Sequence, residues 1–303
     1  MYKILTNDGL QQGAINKLEK LGIDVVNTHY NQDVLGKELK EFDAIVIRSA
    51  SKLTKEVLDE ASKGKLKLAI RAGVGIDNID VASANELGIE VRNTPNASSD
   101  SVAELAIAHI FAVARFLGDS NSTMRNGQWN KKKYQGTEIA GKTLGIIGMG
   151  RIGQSLAKKA EALGMNVIYY TIEGKHDDLI YECVSFDEVL KRSDFLSLHV
   201  PYDKDRGTLI DNKQFALMKD GVYLINCARG KVVCEEALLK ALDSGKVSGA
   251  GIDVFEQEPT ANESLVNHPR VSVTPHIGAS TREAQDRIGE EVVSVIKEFF
   301  ALQ

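Results

Sequence analysis

Short β-branched segments alternate with helical patterns along most of the chain, and this alternation limits the possible folds more than any other feature. The first strands are predicted at residues 2–6, 23–27, 43–47, 67–71 and 89–92. Helices are predicted between them, at about 10–21, 54–61 and 81–87. A second series of strands is predicted at 143–147, 166–170, 194–198, 222–226, 249–253 and 271–274. Such alternation builds βαβ units, so the sequence predicts an α/β protein with two doubly wound parallel sheets.

Length and charge exclude several classes of protein. The chain has 303 residues, with 37 Lys and Arg against 42 Asp and Glu, a formal net charge of −5. A chain of this length suits about two domains, and 43% hydrophobic residues describe a folded protein rather than a disordered one. The mildly acidic balance disfavours binding to nucleic acid or to an anionic membrane.

The cysteines and the apolar segments bear on the cellular compartment. Cys183, Cys227 and Cys234 are odd in number and lack CxxC spacing, which argues against a disulfide scaffold or a metal site and favours the reducing cytoplasm. The amino-terminal residues lack the apolar core of a signal peptide. The most apolar stretch, residues 101–117, is too short to span a bilayer, and we interpret it as part of a buried helix over 98–117.

The strongest local motif is Gly148-Met149-Gly150-Arg151-Ile152-Gly153, which follows a predicted strand and opens an amphipathic helix that ends at Gly164. In this setting the first glycine allows a tight turn, the second lets a pyrophosphate approach the backbone, and the third lets the helix pack closely. Arg151 offers a further phosphate contact. A plain structural turn is the alternative in a chain with 26 glycines, but the flanking strand and helix favour a dinucleotide site.

The end of the next strand bears on the choice of dinucleotide. An acidic residue there normally holds the ribose 2′-hydroxyl of NAD. This chain has Thr171 at that point and Glu173 two residues later, followed by Lys175 and His176. Because Glu173 can take the role of the acid, the sequence favours NAD and leaves NADP open.

A second glycine-rich turn runs from Arg71 through Gly73 and Val74 to Asp80. It is either a plain βα turn or a set of backbone N–H donors for a substrate carboxylate.

Three further predicted strands end in reactive side chains. Arg229 follows one strand, a carboxylate cluster that includes Asp253 and Glu258 follows another, and His276 follows a third. Each has an ordinary alternative as a surface or structural residue. Ligands of such sheets bind beyond the carboxyl ends of the strands, so the coincidence of all three downstream of a dinucleotide loop favours a single site.

These motifs together resemble those of the D-isomer-specific 2-hydroxyacid dehydrogenase family over essentially the whole chain. The resemblance is carried by the segments at 93–96, 124–138, 226–230 and 277–281, beside the glycine motif. The segment from Met124 to Glu138 is closest to the family members that act on 3-phosphoglycerate, a phosphorylated 2-hydroxy acid.

The resemblance implies an architecture and an assembly. It implies two Rossmann-like domains with the active site in the cleft between them: a discontinuous substrate domain at 1–96 plus 278–303 and a dinucleotide domain at 97–277. It implies a homodimer whose interface uses residues 98–134. Larger members carry a carboxy-terminal regulatory domain, and none is expected here, because the chain stops just after the predicted last core helix at 280–300.

The resemblance also implies roles for the side chains. His276 would exchange a proton with the substrate oxygen, Glu258 would hydrogen-bond and orient His276, and Arg229 would hold the substrate carboxylate or carbonyl oxygen. Asp253 would face the nicotinamide. The other expected cofactor contacts are Val74, Gly148, Gly150, Arg151, Ile152, Gly153, Thr171, Val200, Pro201, Cys227, Ala228, Arg229, His276, Gly278 and Ala279. The expected substrate contacts are Arg48, Arg71, Ala72, Gly73, Val74, Lys131, Arg229 and His276.

Two other functions remain open on the residues alone. Glyoxylate and hydroxypyruvate reductases of the same family share Arg229, Glu258 and His276 and differ in phosphate recognition. Corepressor-like proteins of the same fold sense NAD(H) and act by binding partners.

Overall fold

The computed structural model describes residues 1–302, which form two compact units. Unit 1 consists of Met1–Ser98 together with the segment from Ala279 onward, and unit 2 consists of Ser99–Gly278.

Twelve strands and twelve α-helices alternate along the chain. The strands are β1 Lys3–Thr6, β2 Asp24–Val26, β3 Ala44–Ile47, β4 Leu68–Arg71, β5 Glu90–Asn93, β6 Thr143–Ile147, β7 Asn166–Tyr170, β8 Glu182–Cys183, β9 Phe195–Leu198, β10 Val222–Asn226, β11 Val247–Ile252 and β12 Val271–Val273. The helices are α1 Gln12–Lys20, α2 Gln32–Glu38, α3 Lys55–Ala61, α4 Val81–Glu86, α5 Ser99–Ala114, α6 Leu117–Arg125, α7 Arg151–Ala162, α8 Phe186–Arg192, α9 Asn212–Leu217, α10 Glu235–Asp243, α11 Glu263–Val266 and α12 Arg282–Phe299. Short 3₁₀ helices cover Leu39–Glu41, Lys131–Lys133 and Gly230–Val232. These counts refer to the part of the chain that the structure describes.

The sheet of unit 1 has five parallel strands in the order β2-β1-β3-β4-β5. All four residues of β3 are buried, as expected for a strand covered by helices on both faces. One apolar core lies on each face, and α12 packs in the core that also holds Ile4 and Leu18. The strand order reverses between β1 and β3, which is where open α/β sheets bind ligands.

The sheet of unit 2 has seven parallel strands in the order β12-β11-β10-β9-β6-β7-β8. Its strand order reverses between β6 and β9, directly beside the glycine motif. Apolar cores again cover both faces, and α5 and α7 pack in the same one. The prediction of an α/β protein with two parallel sheets is therefore confirmed.

Some local expectations differ from the structure. The helix predicted over 98–117 ends at Ala114, because Phe116 adopts a left-handed conformation (φ 54°) and the Ala114 carbonyl accepts the N–H of Thr137. The helix α2 and the two-residue strand β8 have no counterpart in the sequence prediction. Gly36 interrupts the pattern of α2, yet a side chain at Gly36 would come within 2.9 Å of the Val57 carbonyl oxygen, so the packing of α2 requires glycine.

No single helix within residues 1–302 is long and apolar enough to cross a membrane. The pair α5 and α6 meets the length and composition criteria only together, and it is bent by 64°.

Candidate active site and dinucleotide loop

The glycine loop (residues 148–153) follows β6 and is shaped for close approach of backbone to backbone. Gly148 has φ 96°, and a side chain there would overlap the His199 carbonyl oxygen at the end of β9. Gly153 lies against the Gly148 carbonyl oxygen, which a side chain would also overlap. Glycine at both positions lets α7 begin directly over the end of β6.

Gly150 leaves the beginning of α7 open. It is the N-cap residue, and among residues 1–302 no side chain caps the helix there and no atom lies within 4 Å of a Cβ atom placed at Gly150. The helix start therefore presents backbone N–H groups and the positive end of the helix dipole to open space. Arg151, the first residue of α7, is exposed beside it. These features fit the pyrophosphate of a dinucleotide.

An acidic side chain follows β7, as the sequence predicts. The Thr171 hydroxyl donates a hydrogen bond to the Glu173 carboxylate, and this bond is the main cause of a lowered pKa of Glu173. A carboxylate that stays charged at the end of this strand suits the ribose hydroxyls of NAD and repels the 2′-phosphate of NADP.

His276 and Glu258 form a hydrogen-bonded pair beyond the end of β12. The distance from His276 Nδ1 to Glu258 Oε2 is 2.7 Å, and about a third of each side chain is exposed. Burial acts to raise the pKa of Glu258. The hydrogen bond and charge of His276, the N–H of Phe255 and the charge of Arg229 outweigh it, so the pKa is lowered. The carboxylate is therefore the stable form beside the imidazole.

Arg229 lies just past the end of β10. Its carbonyl accepts a hydrogen bond from Asn226 Nδ2 (3.0 Å), and its Nη1 donates to the Ala228 carbonyl (2.6 Å). Its charge contributes to the lowered pKa of Glu258. The structure thus brings together in unit 2 the three side chains, Arg229, Glu258 and His276, that the sequence singles out for the chemistry.

Asp253 is buried at the end of β11, and both of its carboxylate oxygens accept hydrogen bonds. Oδ1 accepts from the Thr274 hydroxyl (2.6 Å) and from the N–H of Ile277 (2.8 Å), and Oδ2 accepts from the N–H of Gly278 (2.9 Å). Asp253 therefore holds the His276 loop (residues 276–278).

Unit 1 places two arginines at the ends of paired strands. Arg71 is the last residue of β4, and Arg48 directly follows Ile47, which pairs with Arg71 across β3 and β4. The Arg71 guanidinium lies over Gly73 (φ 149°), where any side chain would overlap it. The Asn93 side chain donates to the Val74 carbonyl (2.5 Å), which anchors the turn after β4.

The Arg48 loop (residues 48–51) is held from two sides. Asp8 Oδ2 accepts the N–H groups of Arg48 (2.7 Å) and Ser51 (3.0 Å), and Asp8 Oδ1 accepts the Ser51 hydroxyl (2.5 Å). Asn78 Nδ2 donates to the carbonyl oxygens of the same two residues, at 2.6 and 2.7 Å. Hydrogen bonds within unit 1 therefore hold the backbone of this loop at both its N–H groups and its carbonyl oxygens.

The remaining predicted contacts are distributed over both units. Unit 1 contains Ala72 and Ala279 as well as the residues of the two arginine loops, and unit 2 contains Ile152, Val200, Pro201, Cys227, Ala228 and Lys131. Lys131 is exposed in a 3₁₀ helix, whose last residue, Lys133, pairs with Asp119 at 3.2 Å. Within residues 1–302, no group of three or more His, Cys, Asp and Glu side chains is placed to hold a metal ion.

Sequence reasoning missed the residues that support the site. Asp8 and Asn78 gave only the weak signal of polar residues just beyond predicted strands, and no spacing rule connects them. His109 stood out only as a polar residue in a predicted apolar helix, and its partners Ser272 and Thr274 are more than 160 residues away.

The fold agrees with that of known proteins. Residues 107–278 match the family described as D-isomer specific 2-hydroxyacid dehydrogenase, NAD binding domain. The chain is 46% identical to a hydroxypyruvate reductase of Thermotoga maritima over 97% of both chains. It is 43% identical to a D-3-phosphoglycerate dehydrogenase of Methanocaldococcus jannaschii over 98% of this chain, which spans 57% of that relative's length.

Solved structures give the same result. A D-lactate dehydrogenase from Aquifex aeolicus, complexed with NAD and lactic acid, superposes with a TM-score of 0.84 at 35% identity, covering 99% of this chain and 95% of that one. A glyoxylate reductase from Paecilomyes thermophila superposes with a TM-score of 0.89 at 32% identity, covering 98% and 94%. The chain belongs to the D-isomer specific 2-hydroxyacid dehydrogenases, a family of NAD-dependent oxidoreductases, and it contains the family's NAD-binding domain.

Proposed function

We propose that this protein is a D-3-phosphoglycerate dehydrogenase. It catalyses reversible hydride transfer between NAD(H) and the pair 3-phosphoglycerate and 3-phosphohydroxypyruvate, the first step of the phosphorylated route to serine. The observation that carries the dehydrogenase chemistry is the 2.7 Å hydrogen bond between His276 and Glu258 beyond the end of β12. The choice of a phosphorylated substrate is supported by the two arginines, Arg48 and Arg71, at the ends of paired strands. An imidazole paired with a carboxylate is suited to move one proton to or from a substrate oxygen.

The proton transfer is derived from the geometry of this pair. Because Nδ1 of His276 is bonded to Glu258, the other ring nitrogen, Nε2, serves the substrate. In reduction, the imidazolium gives its Nε2 proton to the carbonyl oxygen. In oxidation, the neutral ring accepts the hydroxyl proton. The Glu258 carboxylate stabilises the charged ring electrostatically and fixes its orientation.

The dinucleotide is held by the glycine loop and supplies or accepts the hydride when bound. The open beginning of α7 holds its pyrophosphate, and Thr171 with Glu173 holds the adenosine ribose. The rest of the dinucleotide site lies at the ends of the neighbouring strands and is lined by Val200, Pro201, Cys227, Ala228 and Asp253. The other proposed dinucleotide contacts are Val74, Gly278 and Ala279. We propose that NAD is preferred to NADP, because the Glu173 carboxylate repels a 2′-phosphate.

The arginines supply the charges that a phosphorylated acid needs. Arg229 holds the substrate carboxylate or carbonyl oxygen, since its guanidinium can donate two parallel hydrogen bonds. Arg48 and Arg71 hold the phosphate, and the turn at Ala72, Gly73 and Val74 offers backbone donors. Lys131 contributes from the exposed 3₁₀ helix across a homodimer interface that we place at residues 98–134, where Leu117, Met124 and Trp129 are exposed.

A second candidate is a hydroxypyruvate reductase. It is favoured by the 46% identity to the Thermotoga maritima enzyme, which this chain matches over 97% of its length. Such an enzyme would use the same Arg229, Glu258 and His276 on a substrate without a phosphate. An NAD(H)-sensing binding protein would keep the dinucleotide loop but would turn over no 2-oxo acid.

The deciding experiment compares 3-phosphohydroxypyruvate, hydroxypyruvate and glyoxylate as substrates for NADH oxidation, in the wild type and in Arg48→Gln. We expect the phosphorylated acid to have the highest kcat/KM in the wild type. Arg48→Gln should lower that value by about 30- to 150-fold, since a charge-assisted contact is worth roughly 2–3 kcal/mol, and should leave the value for hydroxypyruvate nearly unchanged.

Two results would redirect the assignment. A higher kcat/KM for hydroxypyruvate, with equal effects of Arg48→Gln on both acids, supports the reductase. NADH binding without turnover of any acid supports the binding protein.

We place the reaction in the reducing cytoplasm, because Cys183, Cys227 and Cys234 are all free thiols.

A further inference from the structure

A histidine is buried in α5 among apolar neighbours. His109 is 2% exposed, and residues on the same face of the helix, such as Ala106, Ile110 and Val113, belong to an apolar core. Burial lowers the pKa of His109, and the charge of Asp253 acts in the opposite direction. An imidazole in such a place is costly unless both of its nitrogens are hydrogen-bonded.

Both ring nitrogens of His109 have partners on β12 or on the residue that directly follows it. Nδ1 lies 3.0 Å from Ser272 Oγ, and Nε2 lies 3.0 Å from Thr274 Oγ1. The neighbouring strand β11 makes room for the ring at Gly251, where a Cβ atom would lie 2.5 Å from the His109 Cβ. A glycine inside a strand weakens it, so its presence here marks a close approach by another part of the chain.

The hydrogen bonds from Ser272 through His109 and Thr274 to Asp253 are all donated in the direction of Asp253. The Asp253 carboxylate has no proton to give, so the Thr274 hydroxyl donates to Oδ1 (2.6 Å). Thr274 Oγ1 can then only accept from His109, which requires a hydrogen on Nε2. Nδ1 of the neutral ring consequently accepts the hydrogen of the Ser272 hydroxyl.

The bonds of Asp253 reach the proton-transferring histidine. Its side chain accepts the N–H groups of Ile277 and Gly278, and its carbonyl accepts the N–H of His276 (2.8 Å). His276 has φ 51°, a conformation that costs a residue with a side chain roughly 1–2 kcal/mol. The backbone at His276 is therefore held in place by Asp253.

We propose that His109 is a positioning residue for the dehydrogenase reaction. By donating from Nε2 to Thr274, it keeps the Thr274 hydroxyl directed at Asp253, and Asp253 in turn fixes the backbone that carries His276. This inference rests on the proposed role of His276.

The test uses two substitutions of the same ring. His109→Leu removes the donor and keeps an apolar side chain of similar size, so we expect kcat to fall about tenfold with KM and the NADH dissociation constant within about twofold. The melting temperature should change little, because the two hydrogen bonds lost with the ring are offset by the burial of an apolar side chain of similar size. His109→Gln places an amide N–H near the position of Nε2–H and should return kcat to within about threefold of the wild type.

Two further variants test whether His109 acts through Thr274 and not through Ser272. Ser272→Ala removes the bond on the far side of the ring and should keep kcat within about twofold. Thr274→Val removes the link itself, so adding His109→Leu to it should cost no further activity. An unchanged kcat in His109→Leu, additive losses in the double variant, or a loss matched by a lower melting temperature would overturn the proposal.

A measurement independent of turnover separates this proposal from the proposed function. Ring ¹H–¹⁵N NMR spectra of the wild type should show His109 as the neutral Nε2–H form, and the His276 ring signals should move in His109→Leu. An Nδ1–H form or unmoved His276 signals would refute the positioning role. If the NMR signals are as expected but the wild-type protein has no dehydrogenase activity, the proposed function is refuted and the positioning of His276 is not.

Discussion

In each of the two units, a buried carboxylate beyond the end of one strand holds the candidate site loop that follows the neighbouring strand. In unit 1, Asp8 lies beyond β1 and accepts the N–H groups of Arg48 and Ser51 after β3. In unit 2, Asp253 follows β11 and accepts the N–H groups of the His276 loop after β12. A carboxylate with two or three backbone donors is a strong and directional anchor.

The two loops differ in what they hold. The Arg48 loop has no residue with a positive φ, and Asn78 also binds its carbonyl oxygens, so it presents a permanent cation on an unstrained backbone. The His276 loop holds a titratable ring on a left-handed residue. This difference fits the proposed roles of the two loops, because binding an anion needs only a fixed charge, whereas proton transfer needs a fixed geometry. At His276 that geometry includes backbone strain.

The largest expected effect tests the proton-transfer side of this comparison. His276→Ala should lower kcat by about 10²–10⁴, the usual contribution of a positioned acid or base, while NADH binding stays within a few-fold of the wild type. Stopped-flow turnover and fluorescence titration with NADH measure the two quantities. Glu258→Gln is the matched control, since it keeps the shape of the pair and removes its charge, and its loss should be smaller. A kcat within a few-fold of the wild type in His276→Ala contradicts the assignment.

A smaller effect tests the binding side. Asp8→Asn replaces one acceptor of the Arg48 loop by a donor that faces backbone N–H groups, so the loop should lose its fixed shape. We expect the KM for the 2-oxo acid to rise about tenfold with kcat little changed. Asp253→Asn, its counterpart in unit 2, should lower kcat instead. If the two variants change the same kinetic parameter, the distinction between the loops is wrong.

The smallest effect concerns stability at acid pH and depends on a buried histidine of unit 2. His199, in unit 2, has a pKa lowered to about 4 by burial, and its Nδ1 has no hydrogen-bond partner among residues 1–302. Between about pH 6.5 and pH 4 the unfolded chain binds a proton at this position that the folded chain excludes. The free energy of unfolding therefore falls as the pH is lowered through this range.

Replacing this histidine should remove part of that dependence. His199→Asn should reduce the slope by up to about 1.4 kcal/mol per pH unit between pH 6 and pH 4.5. Urea unfolding at a series of pH values measures the slope. A slope equal to that of the wild type would show that His199 is not protonated on unfolding.

Pattern reasoning succeeded where the signal is local. Continuous apolar strands such as Ala44–Ile47 predict buried parallel strands, and the glycine motif at 148–153 predicts its own turn, because backbone conformation and close packing there depend on adjacent residues. The sequence pattern did not predict α2, because Gly36 disfavours a helix in the pattern although the packing of α2 requires glycine there. It also did not predict that α5 ends early, before the left-handed residue Phe116.

The fold class, the dinucleotide loop, and the choice of Arg229, Glu258 and His276 as candidates for the chemistry all follow from the amino-acid sequence. Three features become visible only in three dimensions: Glu258 bonds Nδ1 of His276, Asp8 and Asn78 hold the Arg48 loop, and His109 is linked to Asp253 through Thr274. These hydrogen bonds join residues that are 18 to 165 positions apart in the chain, so no local pattern records them. Strand order, not sequence spacing, brings such residues within 3 Å of one another.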